Sequence, residues 1–213
     1  METNTQTGDG SVRERILAAA YDLFSNQGLG ATGVDAIIAR AGVAKASFYK
    51  YFPSKNDLIQ AFLAMREERW TVQWFQNEVK RRATTPRERL LTIFDVFHEW
   101  FQQPNLEGCS FINVLLETQR NEPTHHAAAQ YLCNIRTFVR SLAAQAGLAD
   151  IDDFAYAWHT LMKGSIITAQ EGYLDSARVA HRAAAILLDG WPEHTADISK
   201  IPICEGTAPQ HTL

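Results

Sequence analysis

Apolar residues recur at steps of three and four along most of the chain, the spacing of helices with one buried face. Ile16, Leu17, Ala20, Leu23 and Phe24 form the first such stripe, and Gln27-Gly28 ends it. Ser11 with Glu14 reads as its capping box. Val34, Ile37, Ile38 and Ala41 make a second, short stripe, broken at Gly42. A third short helix, about Ala44 to Phe52, sends Phe48 and Phe52 inward at i, i+4. Pro53-Ser54 closes it, and Ser54 with Asp57 starts a long fourth helix carrying Leu58, Phe62, Met65, Trp70 and Trp74 to about Arg81-Arg82. Thr85-Pro86-Arg87-Glu88 is another capping box, with proline at the first helical position. The helix after it, Pro86 to about Gln103, is apolar nearly all round, as a centrally buried helix is. A short helix within Gly108–Glu117 follows, then Pro123 to Ala146, Ile151 to Glu171 and Leu174 to Asp189. The pattern therefore predicts an all-α protein of about nine helices. A tail over 1–10, a three-helix domain over 11–55, a helical body over 56–191 and a second tail over 192–213 divide it.

The stretch Ala31 to Lys55 carries the first chemistry. Two short helices crossing at a glycine turn, the second with a small and polar outer face (Lys45, Ala46, Ser47, Tyr49, Lys50), form the helix-turn-helix pattern, whose second helix enters the DNA major groove. From Arg40 to Lys55 stand Arg40, Lys45, Lys50 and Lys55 and no acid, although the 213-residue chain has 20 bases against 24 acids and a net charge of -4. Phosphate contact needs such a local basic patch. On an acidic chain, the patch suggests a module attached to a body with another task. The bare pattern equally fits a helix-glycine-helix turn serving only to pack.

The segment AGVAKASFYKYFPSKNDL, Ala41 to Leu58, closely resembles the recognition segment of the TetR family of bacterial transcriptional regulators. The upstream ILAAAYDLFSNQGLGATGVDAIIARAG resembles that family's first two helices, so the likeness covers about residues 12 to 62. It implies that Lys45, Ala46 and Ser47 lie toward base edges, while Tyr49, Lys50, Tyr51 and Lys55 meet the backbone. Thr32, expected to cap the second helix, would also touch a phosphate there. Ala44 departs from the family, which often has Ser or Thr at this cap, and a lost cap costs roughly 1 kcal/mol. Tyr51, about 200° from Tyr49 around the helix, is expected to be partly core.

The resemblance also gives the body a role, as a helical ligand-binding and dimerisation domain. Its aromatic residues fit either a solid core or an apolar chamber for a small hydrophobic or aromatic effector. The expected chamber residues are Phe94, Phe97, Trp100, Phe111, Asn113, Glu117, Trp158 and Met162, with His98 and His159 as further polar groups. The last two helices are rich in small residues, and the family pairs them with their copies. The expected homodimer face comprises Ala157, Leu161, Gly164, Ile167, Val179, Ala183, Ile186 and Leu187. A two-fold dimer suits double-stranded DNA with a near-palindromic operator.

Other functions find less support. No apolar run approaches the about 18 residues of a membrane span. The polar N-terminus lacks a secretion-signal pattern, and Cys109, Cys133 and Cys204 are odd in number and widely spaced, so a reduced cytoplasm is expected. His125 and His126 are adjacent, about 100° apart on a helix, and cannot share a metal ion. No nucleophile elbow, phosphate loop or zinc-protease motif is present, so neither catalysis nor a cofactor is expected. The expectation is a TetR-type repressor released from its operator by a small ligand. Two alternatives stand beside it: a regulator controlled by a protein partner, and a helical ligand-binding or enzymatic protein without DNA binding.

Overall fold

The computed structural model describes residues 9–104 and 106–193, with side chains from residue 12 onward. Of the expected tails over 1–10 and 192–213, residues 1–8 and 194–213, and with them Cys204, lie outside the described residues. Within them the fold is helical: α1 (Asp9–Ala31), α2 (Val34–Ala41), α3 (Lys45–Tyr51), α4 (Lys55–Arg66), a π-helical stretch (Glu67–Gln76), α5 (Asn77–Arg82), α6 (Pro86–Phe101), α7 (Ser110–Glu117), α8 (Pro123–Gln145), α9 (Ile151–Gln170) and α10 (Ser176–Gly190). With α4, the π stretch and α5 taken as one helical run, these are the nine expected.

Two compact units form, and they do not follow the boundary drawn from sequence. The first holds the chain to Arg69 together with Cys109–Ala129; the second holds Trp70–Gly108 and the chain from Gln130 onward. The chain thus passes between units inside the π stretch, before Cys109, and inside α8. In the first unit Ile16, Ala20, Phe24, Ile37, Phe48, Leu58 and Phe62 are almost fully buried. Full burial of each leucine, isoleucine or phenylalanine among them is worth about 1.5–3 kcal/mol. Phe62 meets the edges of Tyr21 and Phe24 at 5.7 and 5.5 Å. Arg66, buried at the end of α4, donates to the Tyr21 hydroxyl and lies over its ring. Phe111 and Val114 of α7 are buried in this unit, which is why a segment distant in sequence joins it.

In the second unit the core is aromatic. Phe75, Phe94, Phe97, Phe101, Phe154 and Trp158 are buried, with Phe154 stacked on Trp158 at 5.0 Å and Phe94 at 5.5 Å from it. α10 packs along α6 and α9. Trp191 pins the end of α10 by donating from its indole nitrogen to Ala149 O at 2.8 Å.

Helix starts follow the capping chemistry at two places and depart from it at two. Ser54 with Asp57 and Thr85 with Glu88 each make both reciprocal hydrogen bonds of a capping box. Ser11 does not begin α1, which starts two residues earlier at Asp9, so residues 9 and 10 are helix rather than tail. Thr32 does not cap α2: the capping position is Gly33, with no side-chain hydrogen bond.

Candidate nucleic-acid interface

The turn between α2 and α3 is built by Gly42, at φ 61°, ψ 44°. There its N–H donates to Ala39 O at 3.2 Å and that of Val43 to Ile38 O at 3.3 Å, satisfying carbonyls at the end of α2. An L side chain in this left-handed region costs roughly 1–2 kcal/mol, hence the glycine. α3 then leaves Ala44, which offers its amides no side-chain acceptor, as expected. Phe48 and Phe52 anchor the helix from below at 0% and 2% exposure. Their burial fixes the opposite face outward: Lys45, Ala46, Tyr49 and Lys50 are exposed and Ser47 is half-buried. Tyr49 sits edge-on to Phe48 at 5.2 Å, while Tyr51 is half-buried with its hydroxyl enclosed and unpartnered.

The bases around this face are held in specific ways. Lys45 pairs with Asp35 across the turn at 3.2 Å, and Arg40 pairs with Asp22 of α1 at 3.0 Å. Lys50 lies over the Tyr51 ring at 5.4 Å. Lys55 reaches back and donates to Leu29 O at 2.5 Å. The ion pairs are exposed, and pairs of that kind contribute under about 1 kcal/mol, so a phosphate can replace the carboxylate at little cost. Two α1 arginines that sequence reasoning did not single out brace the domain. Arg15 donates to Gly42 O at 3.0 Å, and Arg13 lies over the Phe52 ring at 5.4 Å. Their spacing from Phe52 and Gly42, far along the chain, gave no local signal.

Thr32 requires a correction. Its side chain is fully buried and its hydroxyl donates inward, to Gly28 O at 2.8 Å and Leu23 O at 3.3 Å. It locks the kink near the end of α1, where Gly28 leaves helical geometry at φ 80°. An oxygen so placed offers nothing to a phosphate. The uncapped amides at the start of α2 remain the group suited to an anion there.

The expected chamber residues are divided between the two units. Phe94, Phe97, Trp100, Trp158 and Met162 are buried in the second unit, where Phe97 lies 5.6 Å from Trp100 and the Trp158 indole nitrogen has no partner. His159 beside them is 3% exposed, and burial, with Lys163 and Arg136 nearby, pushes its pKa down to about 3. Phe111, Asn113 and Glu117 belong to the first unit. There the Glu117 carboxylate accepts from the Gly30 N–H at 2.8 Å and would lie 3.1 Å from a Cβ on Gly28. It clamps the turn before the helix-turn-helix. Of the expected pairing face, Gly164, Ile167, Val179, Ala183 and Ile186 are exposed and Ala157, Leu161 and Leu187 half-buried. None is buried within the chain.

Comparison with known proteins agrees with this geometry. Residues 16–62 match the model of the bacterial regulatory proteins of the tetR family. The transcriptional regulator QacR of Staphylococcus aureus is 29% identical over 91 residues, 43% of this chain and 48% of that protein. The chain spans about half the length of the curated relatives it matches, or less. Over nearly the whole described fold it resembles SCO4454, a TetR-family regulator from Streptomyces coelicolor, with a TM-score of 0.77 at 20% identity, covering 88% of this chain and 96% of that one. It also resembles a TetR-type regulator from Streptomyces avermitilis, with a TM-score of 0.69 at 28% identity over 82% of this chain and 98% of the other. A buried phenylalanine anchor under an outward basic face, a left-handed glycine turn and these matches together lead to one conclusion: residues 16–62 form a domain of the kind found in the tetR family of bacterial regulatory proteins, and the described fold is similar to that of TetR-type regulators.

Proposed function

We propose that this protein is a cytoplasmic, homodimeric DNA-binding regulator, most simply a repressor, released from a near-palindromic operator by a small apolar or aromatic effector. The observation that carries the DNA-binding part is the outer face of α3. Burial of Phe48 and Phe52 turns this face outward, so that Lys45, Ala46 and Ser47 would meet base edges and Tyr49 and Lys50 phosphates. The half-buried Tyr51 supports this face from beside Lys50, and Lys55 steadies the first turn of α4. Homodimerisation is supported by the exposed apolar residues Ile167, Val179 and Ile186 of α9 and α10, which a second copy would cover. The effector reading rests on the aromatic cluster of Phe94, Phe97, Trp100, Trp158 and Met162, where an enclosed indole N–H awaits an acceptor. An effector there would act on the first unit through the chain links, of which the π stretch is one; such couplings are typically about 1–3 kcal/mol.

Footprinting on the DNA flanking the protein's own gene, repeated with Lys45→Ala and Tyr49→Ala, tests the reading. A protected site that each substitution weakens at least ~10-fold is expected. Unchanged protection and an unchanged salt slope in both variants would remove α3 as the reading helix.

A further inference from the structure

The second unit contains an open groove of about 390 Å³ that uses none of the residues assigned above to DNA or to the aromatic cluster. Its floor is one face of α8: Asn134, Thr137, Phe138, Ser141, Leu142 and Gln145 stand at i, i+3, i+4, i+7, i+8 and i+11. The stripe alternates amides and hydroxyls with an aromatic and an aliphatic side chain. Facing it are Lys80 of α5 and Arg89 of α6, and among the described residues no acid lines the groove.

The charge state of its neighbours makes those two bases distinctive. Between Lys80 and Arg89 the chain carries five bases. Arg81 and Arg82 share Glu78, Arg82 also holds Glu99 through both terminal nitrogens, and Arg87 pairs with Asp189 and Glu193. Lys80 and Arg89 pair with no carboxylate among the described residues. Each is nevertheless positioned. The Lys80 ammonium lies 5.7 Å from the centre of the Phe138 ring. The Arg89 Nε donates to Ala83 O at 3.1 Å, which fixes the guanidinium and leaves its two terminal NH2 groups for a planar anion. Two oriented, uncompensated cations over a floor with an apolar strip suit a carboxylate with an apolar or aromatic body better than a bare inorganic ion. The volume matches small-molecule sites.

We propose that this groove is a binding site for a small organic carboxylate, its oxygens held by Lys80 and Arg89 and its apolar part laid against Phe138 and Leu142. The site is independent of the DNA-binding reading and is tested by direct binding to the full chain. Isothermal titration with benzoate and with octanoate is expected to show saturable binding in the millimolar range or tighter. Benzamide, the neutral analogue, is expected to give none, and inorganic phosphate to bind more weakly than either acid. Lys80→Ala and Arg89→Ala should each weaken carboxylate binding about tenfold or more, the loss of one charge-assisted contact. Arg89→Lys should fall between, since it keeps the charge and loses the fork. Circular dichroism checks that the variants fold; if one does not, the benzoate–benzamide pair on the unaltered protein still decides. Absence of saturable binding by both acids, equal binding of benzamide, phosphate binding as tight as benzoate, or affinity untouched in both alanine variants would each overturn the proposal.

Discussion

Gly42 and Ala44 stand two residues apart and set opposite requirements on the same turn. Gly42→Ala places a Cβ in left-handed backbone with nothing within 4 Å to blame but the conformation itself, so a stability loss of about 1–2 kcal/mol is expected by chemical denaturation. Ala44→Ser supplies the missing acceptor to α3 and should raise stability by about 0.5–1 kcal/mol. If the serine variant is no more stable, Val43 and Phe48 packing already satisfies that end. His159 provides a pH signature. Its pKa in the fold, about 3, lies below the ordinary value of 6.5, so the folded chain excludes a proton the unfolded chain accepts. Its contribution is whole above about pH 6.5 and is lost as pH falls from there toward 3, at up to about 1.4 kcal/mol per pH unit. His159→Phe should flatten the fall in melting temperature across that window; an unchanged slope would assign the acid sensitivity elsewhere. Gly42 and the bare Ala44 are legible in the sequence because they are local. The buried state of His159 and of Thr32 is not, since Thr32 reads as a cap until the inward carbonyls of Leu23 and Gly28 claim its hydroxyl.

At the scale of elements, α2 and α3 carry an electrostatic latch. The Asp35 carboxylate occupies Lys45 at 3.2 Å, a pairing invisible in a list of bases because it crosses the turn. Asp35→Asn frees Lys45 and removes a negative charge beside the phosphates. DNA affinity by fluorescence anisotropy at low salt is expected to rise several-fold, with a steeper salt dependence. Unaltered affinity would show that Lys45 does not meet DNA. The fourth helix shows where periodicity misleads. Its sequence stripe runs through Trp70 and Trp74, yet Thr71, Phe75 and Val79 are the buried positions and both tryptophans are only half-buried. The π-helical stretch explains the slip: a wider turn between Arg66 and Thr71 advances the buried face by one residue. An α-helical period cannot anticipate an interruption imposed by packing against Phe97 and Phe138, the rings that Phe75 meets at 5.5 and 5.9 Å. The capping boxes at Ser54 and Thr85 were legible because both partners lie within one turn.

For the whole molecule, the exposed apolar positions of α9 and α10 are the feature with consequences. Ile186 is 76% exposed, and Ile186→Glu is expected to leave the chain folded but shift it from dimer to monomer in sedimentation equilibrium, with operator affinity lost alongside. A variant that remains dimeric would move the interface off this face. The sequence by itself determined the helical succession, the helix-turn-helix and its outward basic face. Those depend on intervals of three and four residues, on one glycine and on caps that act within a turn. Only the tertiary structure decided which segments share a core. It joined Cys109–Ala129 to the first unit and gave the Glu117 carboxylate the Gly30 N–H as a partner. It turned Thr32 inward, advanced the buried face at Phe75, and left Lys80 and Arg89 without acids among the described residues while their neighbours were neutralised. Each of these depends on a contact between residues far apart in the chain, where no local spacing carries the information.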